Sequence, residues 1–314
     1  MIRVPRGTVK APASLAAAGV EERRKAVAHY GKPENKETTF SFTAYKGADV
    51  VQTLNELFHH KCAYCESSYK ATSPADIEHF RPKGAIVIRG ADGEKDKREK
   101  PGYYWLAATW ENLLASCPDC NRARTHLFQD PGEDEETPGV RGKENKFPLI
   151  DETRRVRTPP ASGEGTEAGQ RLLIDPCRDR PEAHLEFHPD GLVWARRSGS
   201  SVSRKGRESI VAYGLTRKEL KEARRAHLLD VARKMRAMLF HIDALDQDPG
   251  NAASEAEFRI LLEELRGMTA ADSPYAGMTR QYVRDFEASI RSRTARDFVT
   301  VLLTQVTAPP TTPS

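Results

Sequence analysis

Apolar residues recur at helical spacing in the longer periodic stretches of the chain and alternate at strand spacing in the shorter ones. After a Pro-Ala-Ser start, residues 11–30 set Leu15, Ala18, Val20 and Val27 among charged side chains, the pattern of a modest amphipathic helix that would serve as an N-terminal packing arm. Residues 39–45 alternate Phe40, Phe42 and Ala44 with hydroxyl residues and predict a short strand; Val50, Val51, Leu54, Leu57 and Phe58 then make one helical face that delivers the chain to Cys62. Residues 84–102 predict a charged loop around a short strand at 86–88, and residues 130–146 a second loop, acidic at its start. A third connection, rich in Pro, Gly, Ser and Glu, spans 159–169, before Leu172, Leu173 and Ile174 resume a strand. The turn His188-Pro189-Asp190-Gly191 joins apolar runs at 185–187 and 192–195 and predicts a hairpin. Beyond residue 205 the period is helical. A long helix is predicted over 216–243, opened by a Thr216–Glu219 capping box, and shorter ones near 254–267 and 279–292. The Pro- and Thr-rich tail, 307–314, predicts disorder.

Composition narrows the class. With 38% hydrophobic residues over 314 positions a core can form, but no run approaches the ~18 apolar residues of a membrane span, and the first residues are unlike a signal peptide. A protein of the reducing cytoplasm, with no membrane partner, is expected. The net charge of +4 is too small to announce nucleic acid, so its distribution matters more. Residues 204–236 hold eleven Lys or Arg against four Asp or Glu, whereas 246–272 hold seven acidic residues against two basic ones. That contrast suits a basic helical face for backbone phosphates, although a solvated amphipathic helix would look much the same. There is no internal repeat and no glycine-rich phosphate loop.

Four of the five cysteines form two C-x-x-C pairs, Cys62/Cys65 and Cys117/Cys120, with 51 residues between them. Each pair can offer two thiolates to one tetrahedral ion, and together they complete the shell of a closed structural Zn2+ site. Such a staple would explain how so loop-rich a first half holds together. The competing readings are unrelated buried cysteines or a redox pair, and nothing near either pair looks thioredoxin-like.

Between and beyond the pairs lie Asp76-Ile77-Glu78-His79-Phe80-Arg81-Pro82, then Trp110-Glu111-Asn112-Leu113-Leu114, then Cys120-Asn121. In these pieces the chain resembles the HNH endonucleases, in which a carboxylate-histidine pair, an Asn-Leu loop and an Asn or His after a C-x-x-C wrap one metal ion. A closer resemblance, to the HNH proteins of Septu and retron-associated antiphage systems, is carried by residues 61–66, 76–83, 102–107, 112–121, 147–149 and 173–179, and more weakly by Glu186-Phe187 and Tyr213-Gly214-Leu215.

The resemblance implies a metal-dependent hydrolysis of phosphodiester bonds, most naturally in DNA, with an ATPase subunit of the same defence system as partner. His79 would be the base that activates water, Glu78 and Asn121 the ligands of a catalytic Mg2+ or Mn2+ ion, and Asn112 the residue that holds the loop aiming His79. Asp76 and His126 are rival ligands, His126 being expected on the same helix as Asn121. Glu78 could instead pair with Arg81, and Arg122 and Arg124, expected on the first turns of that helix, could clamp phosphates or simply be solvated. The fold class expected is α+β: a zinc-stapled ββα-metal core within an HNH domain at 1–200, a helical C-terminal domain at 201–306 expected to dock the ATPase, and the tail. The alternative from another class is a zinc-stabilised nucleic-acid-binding or adaptor module without catalysis.

Overall fold

In the computed structural model, which describes residues 1–7, 9–90 and 95–308, the first amphipathic stretch forms a π-helical turn, Leu15–Gly19, that continues into α1 (Val20–Tyr30). Helix α2 (Ala48–Leu57) buries Val50 and Leu54, and its Asp49 carboxylate accepts from Ser14 Oγ at 2.6 Å and Ser14 N–H at 3.0 Å, tying the two segments together. The strand expected at 39–45 does not form. The Thr43 and Ala44 N–H groups both donate to the Glu22 carboxylate, at 2.6 and 3.1 Å, which satisfies them without a neighbouring strand, and Ala44–Lys46 is a 3-10 turn.

Next come β1 (Asp76–His79), β2 (Ile86–Ile88) and β3 (Lys97–Glu99), β3 folding back on β2. Strand β4 (Leu113–Ser116) is fully buried and runs antiparallel to β1, with Asp76 opposite Ser116 and His79 opposite Leu113. A one-turn helix, α3 (Pro118–Asn121), follows immediately, with Pro118 at its first position, where the missing N–H costs nothing.

Here the structure corrects the sequence reading. The helix expected to carry Arg122, Arg124 and His126 stops at Asn121, and Arg124–Phe128 is strand β5, paired with β6 (Thr137–Arg141). Tertiary packing wins over the helical reading: Phe128 is buried from the strand, and the chain leaving β6 passes so close beneath Arg122 that a Cβ on Gly142, at φ +153°, would stand 2.0 Å from the Arg122 carbonyl oxygen.

The predicted hairpin is present as β7 (Leu185–Phe187) and β8 (Val193–Ala195). Its turn glycine, Gly191 at φ +90°, lets the loop reach the Lys221 backbone, where a Cβ would meet a carbonyl oxygen at 2.1 Å. Residues 172–174 are buried but not a strand; Ile174 N–H donates to Ser209 Oγ and its carbonyl accepts from Tyr213 Oη, both at 2.8 Å. Helices α4 (Arg204–Ala212), α5 (Lys218–Gln247), α6 (Ala252–Met268), α7 (Ala276–Arg291) and α8 (Ala295–Thr307) complete the chain, and α8 was not foreseen. The expected capping box of α5 is absent because the helix starts at Lys218, with Arg217 rather than Thr216 at the cap, and Thr216 Oγ1 accepts from Arg141 at 3.2 Å.

The architecture is thus mixed helix with two-stranded sheets, and one apolar core runs from Met1 to Val306, drawing residues from both sides of position 200. Thr307 ends α8, and the rest of the tail, from residue 309, lies outside the described residues. Among the described residues no helix is long and apolar enough to cross a membrane.

Candidate functional site

The pairing of β1 with β4 brings the two cysteine pairs together. Cys117 follows β4 directly and precedes α3, while the first pair sits in a turn where Glu66 N–H donates to the Cys62 carbonyl at 3.0 Å and Ala63 N–H to the Ala115 carbonyl at 2.8 Å. The Cys62, Cys65, Cys117 and Cys120 sulfurs are all buried and lie within 4.8 Å of one another. Cys65 and Cys117 Sγ are 3.8 Å apart, close to the edge of a tetrahedron with Zn–S bonds of about 2.3 Å. Hydrogen bonds from Cys117 and Cys120 pull the Cys65 thiol well below its usual range, and burial pushes Cys120 well above it: four thiols are competing for protons that a divalent cation would displace. The donor set and the spacing fit a structural zinc ion.

Arg217, the residue before α5, was not singled out from the sequence. Its buried guanidinium places Nη1 3.6 Å from Cys120 Sγ, where it would offset the net negative charge of four thiolates on a divalent ion. Nothing in the local pattern distinguishes it from the solvated basic residues that follow.

Of the other predicted residues, Asp76, Glu78, His79, Asn121 and Arg122 line a cleft beside the β1–β4 pair, a space of about 800 Å3 that Lys83 and Tyr45 also line. His79 is 5% exposed, and its Nε2 lies 2.9 Å from the Ala107 carbonyl oxygen. A carbonyl can only accept, so Nε2 carries the proton and the neutral ring keeps a lone pair on Nδ1. Burial and the charge of Lys83 push His79 well below the usual imidazole range, which keeps the ring neutral. Lys83 Nζ is 3.3 Å from Nδ1, and the Tyr45 ring packs edge-on against the imidazole with centroids 4.6 Å apart.

Asn112 sits behind this histidine. Its Oδ1 accepts from Arg81 N–H at 2.8 Å, its Nδ2 donates to the Arg81 and Leu106 carbonyls at 3.0 and 3.2 Å, and its own carbonyl accepts from Phe80 N–H at 2.9 Å. Side chain and backbone carbonyl together clamp the two residues that follow His79.

Glu78 is 4% exposed and ion-paired with Lys143, whose ammonium also donates to the His79 carbonyl at 2.8 Å. Burial raises the Glu78 pKa, and the lysine opposes that shift. Lys143 is itself fully buried and was missed by sequence reasoning, since a lysine in a charged loop gives no sign of burial. Arg81 pairs not with Glu78 but with Glu164 and Glu167, at 3.2 and 3.4 Å.

Asn121 Nδ2 donates to Asp76 Oδ2 at 3.0 Å, and Arg122 grips the same carboxylate through Nε at 2.9 Å and Nη2 at 2.6 Å. Arg124 pairs with Asp119 at 3.1 Å, so both arginines already hold carboxylates. His126, on β5, lies between Asp119 and Glu219, at 3.4 and 3.3 Å, rather than beside Asn121. The Glu78 carboxylate and the Asn121 amide oxygen are hard donors of the type Mg2+ or Mn2+ takes, and the two carboxylates of β1 are at present balanced by protein cations. Among the described residues the four cysteines are the one group of three or more His, Cys, Asp or Glu ligand atoms that converges.

Comparison with known proteins adds a relationship. Over 200 residues the chain is 40% identical to the Septu protein PtuB of Bacillus mycoides (strain KBAB4), a match covering 63% of this chain and 57% of that protein. The chain is similar to the Septu proteins. A second match, 29% identical over 172 residues, is to the Septu protein PtuA of the same organism and covers 54% of this chain and 20% of PtuA. The chain thus spans under two thirds of the length of either relative. No family model matches it, and neither does any solved structure.

Proposed function

We propose that the chain is a metal-dependent endonuclease of the HNH type that hydrolyses phosphodiester bonds of DNA in the cytoplasm, as the effector of a Septu-type antiphage system with an ATPase partner of the PtuA kind. In this reading β1, β4 and α3 are its ββα unit. The observation that carries it is the state of His79: a buried, neutral imidazole with its lone pair on Nδ1, lining a cleft that also holds an ammonium and a carboxylate-carboxamide pair.

His79 Nδ1 accepts the proton of the attacking water, and the Ala107 carbonyl keeps the ring in the tautomer that can do so. Lys83 leaves Nδ1 for the negative charge of the entering phosphate, which both frees the lone pair and binds the substrate. Asn112 is a positioning residue, acting on His79 through the backbone of Phe80 and Arg81. Glu78 and Asn121 would hold a Mg2+ or Mn2+ ion, whose chemistry there is to stabilise charge on the phosphate and on the departing oxygen. The similarity to PtuB and PtuA supports the defence role and the choice of partner. The test is divalent-dependent DNA cleavage that disappears in His79→Ala while thermal unfolding is unchanged; an equally active variant would refute the assignment.

A further inference from the structure

A second concave surface is lined by residues that the proposed site does not use. It lies where α7 meets the β7–β8 hairpin, encloses about 380 Å3, and is lined by five arginines, Arg3, Arg180, Arg196, Arg280 and Arg284, and one acidic residue, Glu182. Arg180 takes Glu182 at 2.8 Å, and Arg284 touches the adjacent Asp285 at 3.3 Å. Among the described residues Arg3, Arg196 and Arg280 make no ion pair. Arg196 goes further, because its Nε is buried and has no hydrogen-bond partner. A buried donor left unpaired is costly, and it is unusual unless something else satisfies it.

The surface is preorganised. Gln281 bonds both the N–H and the carbonyl of Phe187, at 2.9 and 2.7 Å, and Tyr282 Oη donates to the same carbonyl at 3.2 Å, fixing α7 against β7. Arg280 Nε donates to the Thr269 carbonyl at 2.8 Å, which fixes the guanidinium plane. Arg196 is anchored through its backbone, its N–H donating to the His184 carbonyl at 2.8 Å and its carbonyl accepting from Ser203 N–H at 2.9 Å. Like-charged groups so arranged repel one another, and the natural counterpart is a row of phosphates, which guanidinium groups bind in pairs of hydrogen bonds.

The lining also selects among phosphate ligands. Free bases and single strands are held by stacking on exposed aromatic rings, and the one ring here, Phe187, is 7% exposed. We infer that this arginine groove is a second binding site of the protein, taking the sugar-phosphate backbone of duplex DNA without reading its bases. It shares with the proposed function the choice of nucleic acid, and binding is read separately from cleavage, so either idea can fail alone.

The experiment measures fluorescence anisotropy of a labelled 30-base-pair duplex, a length on the order of three helical turns, titrated with the full chain without added divalent ions and over a series of salt concentrations. Arg280→Gln/Arg284→Gln is compared with Arg259→Gln/Arg266→Gln, a control that removes the same charge from the exposed face of α6. Both pairs sit on helix surfaces that glutamine tolerates, and unchanged thermal unfolding confirms their folding. The groove variant is expected to bind about tenfold more weakly and to lower the slope of log affinity against log salt by about two, for two lost phosphate contacts. The control should match wild type, and a single-stranded oligonucleotide should bind wild type more weakly than the duplex. Equal losses in both variants, no loss in either, or a wild-type chain that binds no duplex would overturn the inference. So would a groove variant that binds DNA normally but changes mass in light scattering, which would assign the groove to a second copy of the chain.

Discussion

Lys83 Nζ stands 3.3 Å from His79 Nδ1 and 4.4 Å above the Tyr45 ring, and no carboxylate among the described residues forms an ion pair with it. An ammonium that is mostly buried without an anion sits where an anionic substrate would complete it. Burial brings its pKa down to about 8, so its charge can be lost within a range open to assay.

Cleavage should therefore have two pH limits. Burial and the Lys83 charge disfavour protonated His79, so the acid limb of kcat/KM is expected well below the imidazole value of about 6.5, and loss of the Lys83 proton makes activity fall above about pH 8. In Lys83→Gln the imidazolium loses a repulsive neighbour, so the acid limb moves up toward about 6.5, and the alkaline limb vanishes. Rates between about pH 4.5 and 9.5 for both proteins check this; an unmoved acid limb in Lys83→Gln would show that the ammonium does not act on His79.

Zinc is expected at one ion per chain, bound by the four thiolates. Cys117→Ser should lose the metal and much of the cooperative unfolding transition, since binding energy at a closed site of this kind is folding energy. Elemental analysis beside circular-dichroism melts measures both. A metal-free wild type with an unaltered melt would remove the staple from the account.

Lys143→Met strands Glu78 as a buried carboxylate without its cation and is expected to cost about 3–5 kcal/mol. Adding Glu78→Gln should recover part of that loss, because the uncompensated charge is gone. Urea denaturation of the two single variants and the double variant reads the coupling, and additive losses would mean the pair is not energetically linked.

Asn112→Ala leaves the Arg81 N–H and the Arg81 carbonyl unpaired in the interior, a destabilisation of about 2–4 kcal/mol. If Asn112 also aims His79, kcat falls with KM little changed under conditions where the variant remains folded. A lost stability with kcat intact would confine the residue to a structural role.

Much of this was legible in the sequence because the signals were local. The two C-x-x-C pairs announced a four-sulfur cluster, the β7–β8 hairpin followed from a Pro-Asp-Gly turn between apolar runs, and α5, α6 and α7 lie close to the helices their period predicts. What escaped depends on the tertiary structure. Only a helix was expected after Cys120, and the strand that forms instead buries Phe128 and lets Gly142 pass under Arg122, contacts that no local pattern shows. Lys143 and Arg217 escaped for the same reason: each is a lysine or arginine in a polar segment, and their partners, Glu78 and the thiols, are far away in sequence. Arg122 and Arg124 were read as possible phosphate ligands because their carboxylates, Asp76 and Asp119, become neighbours in the fold.

The most direct test of the account is conversion of supercoiled plasmid to nicked and linear forms by purified chain with Mg2+ or Mn2+, alone and together with a PtuA-type partner, for wild type and His79→Ala of equal melting temperature. The account predicts divalent-dependent conversion by wild type in at least one of these mixtures, and a rate at least about a hundredfold lower for the variant. Equal rates for the two proteins, or no conversion by wild type even with the partner present, would contradict it.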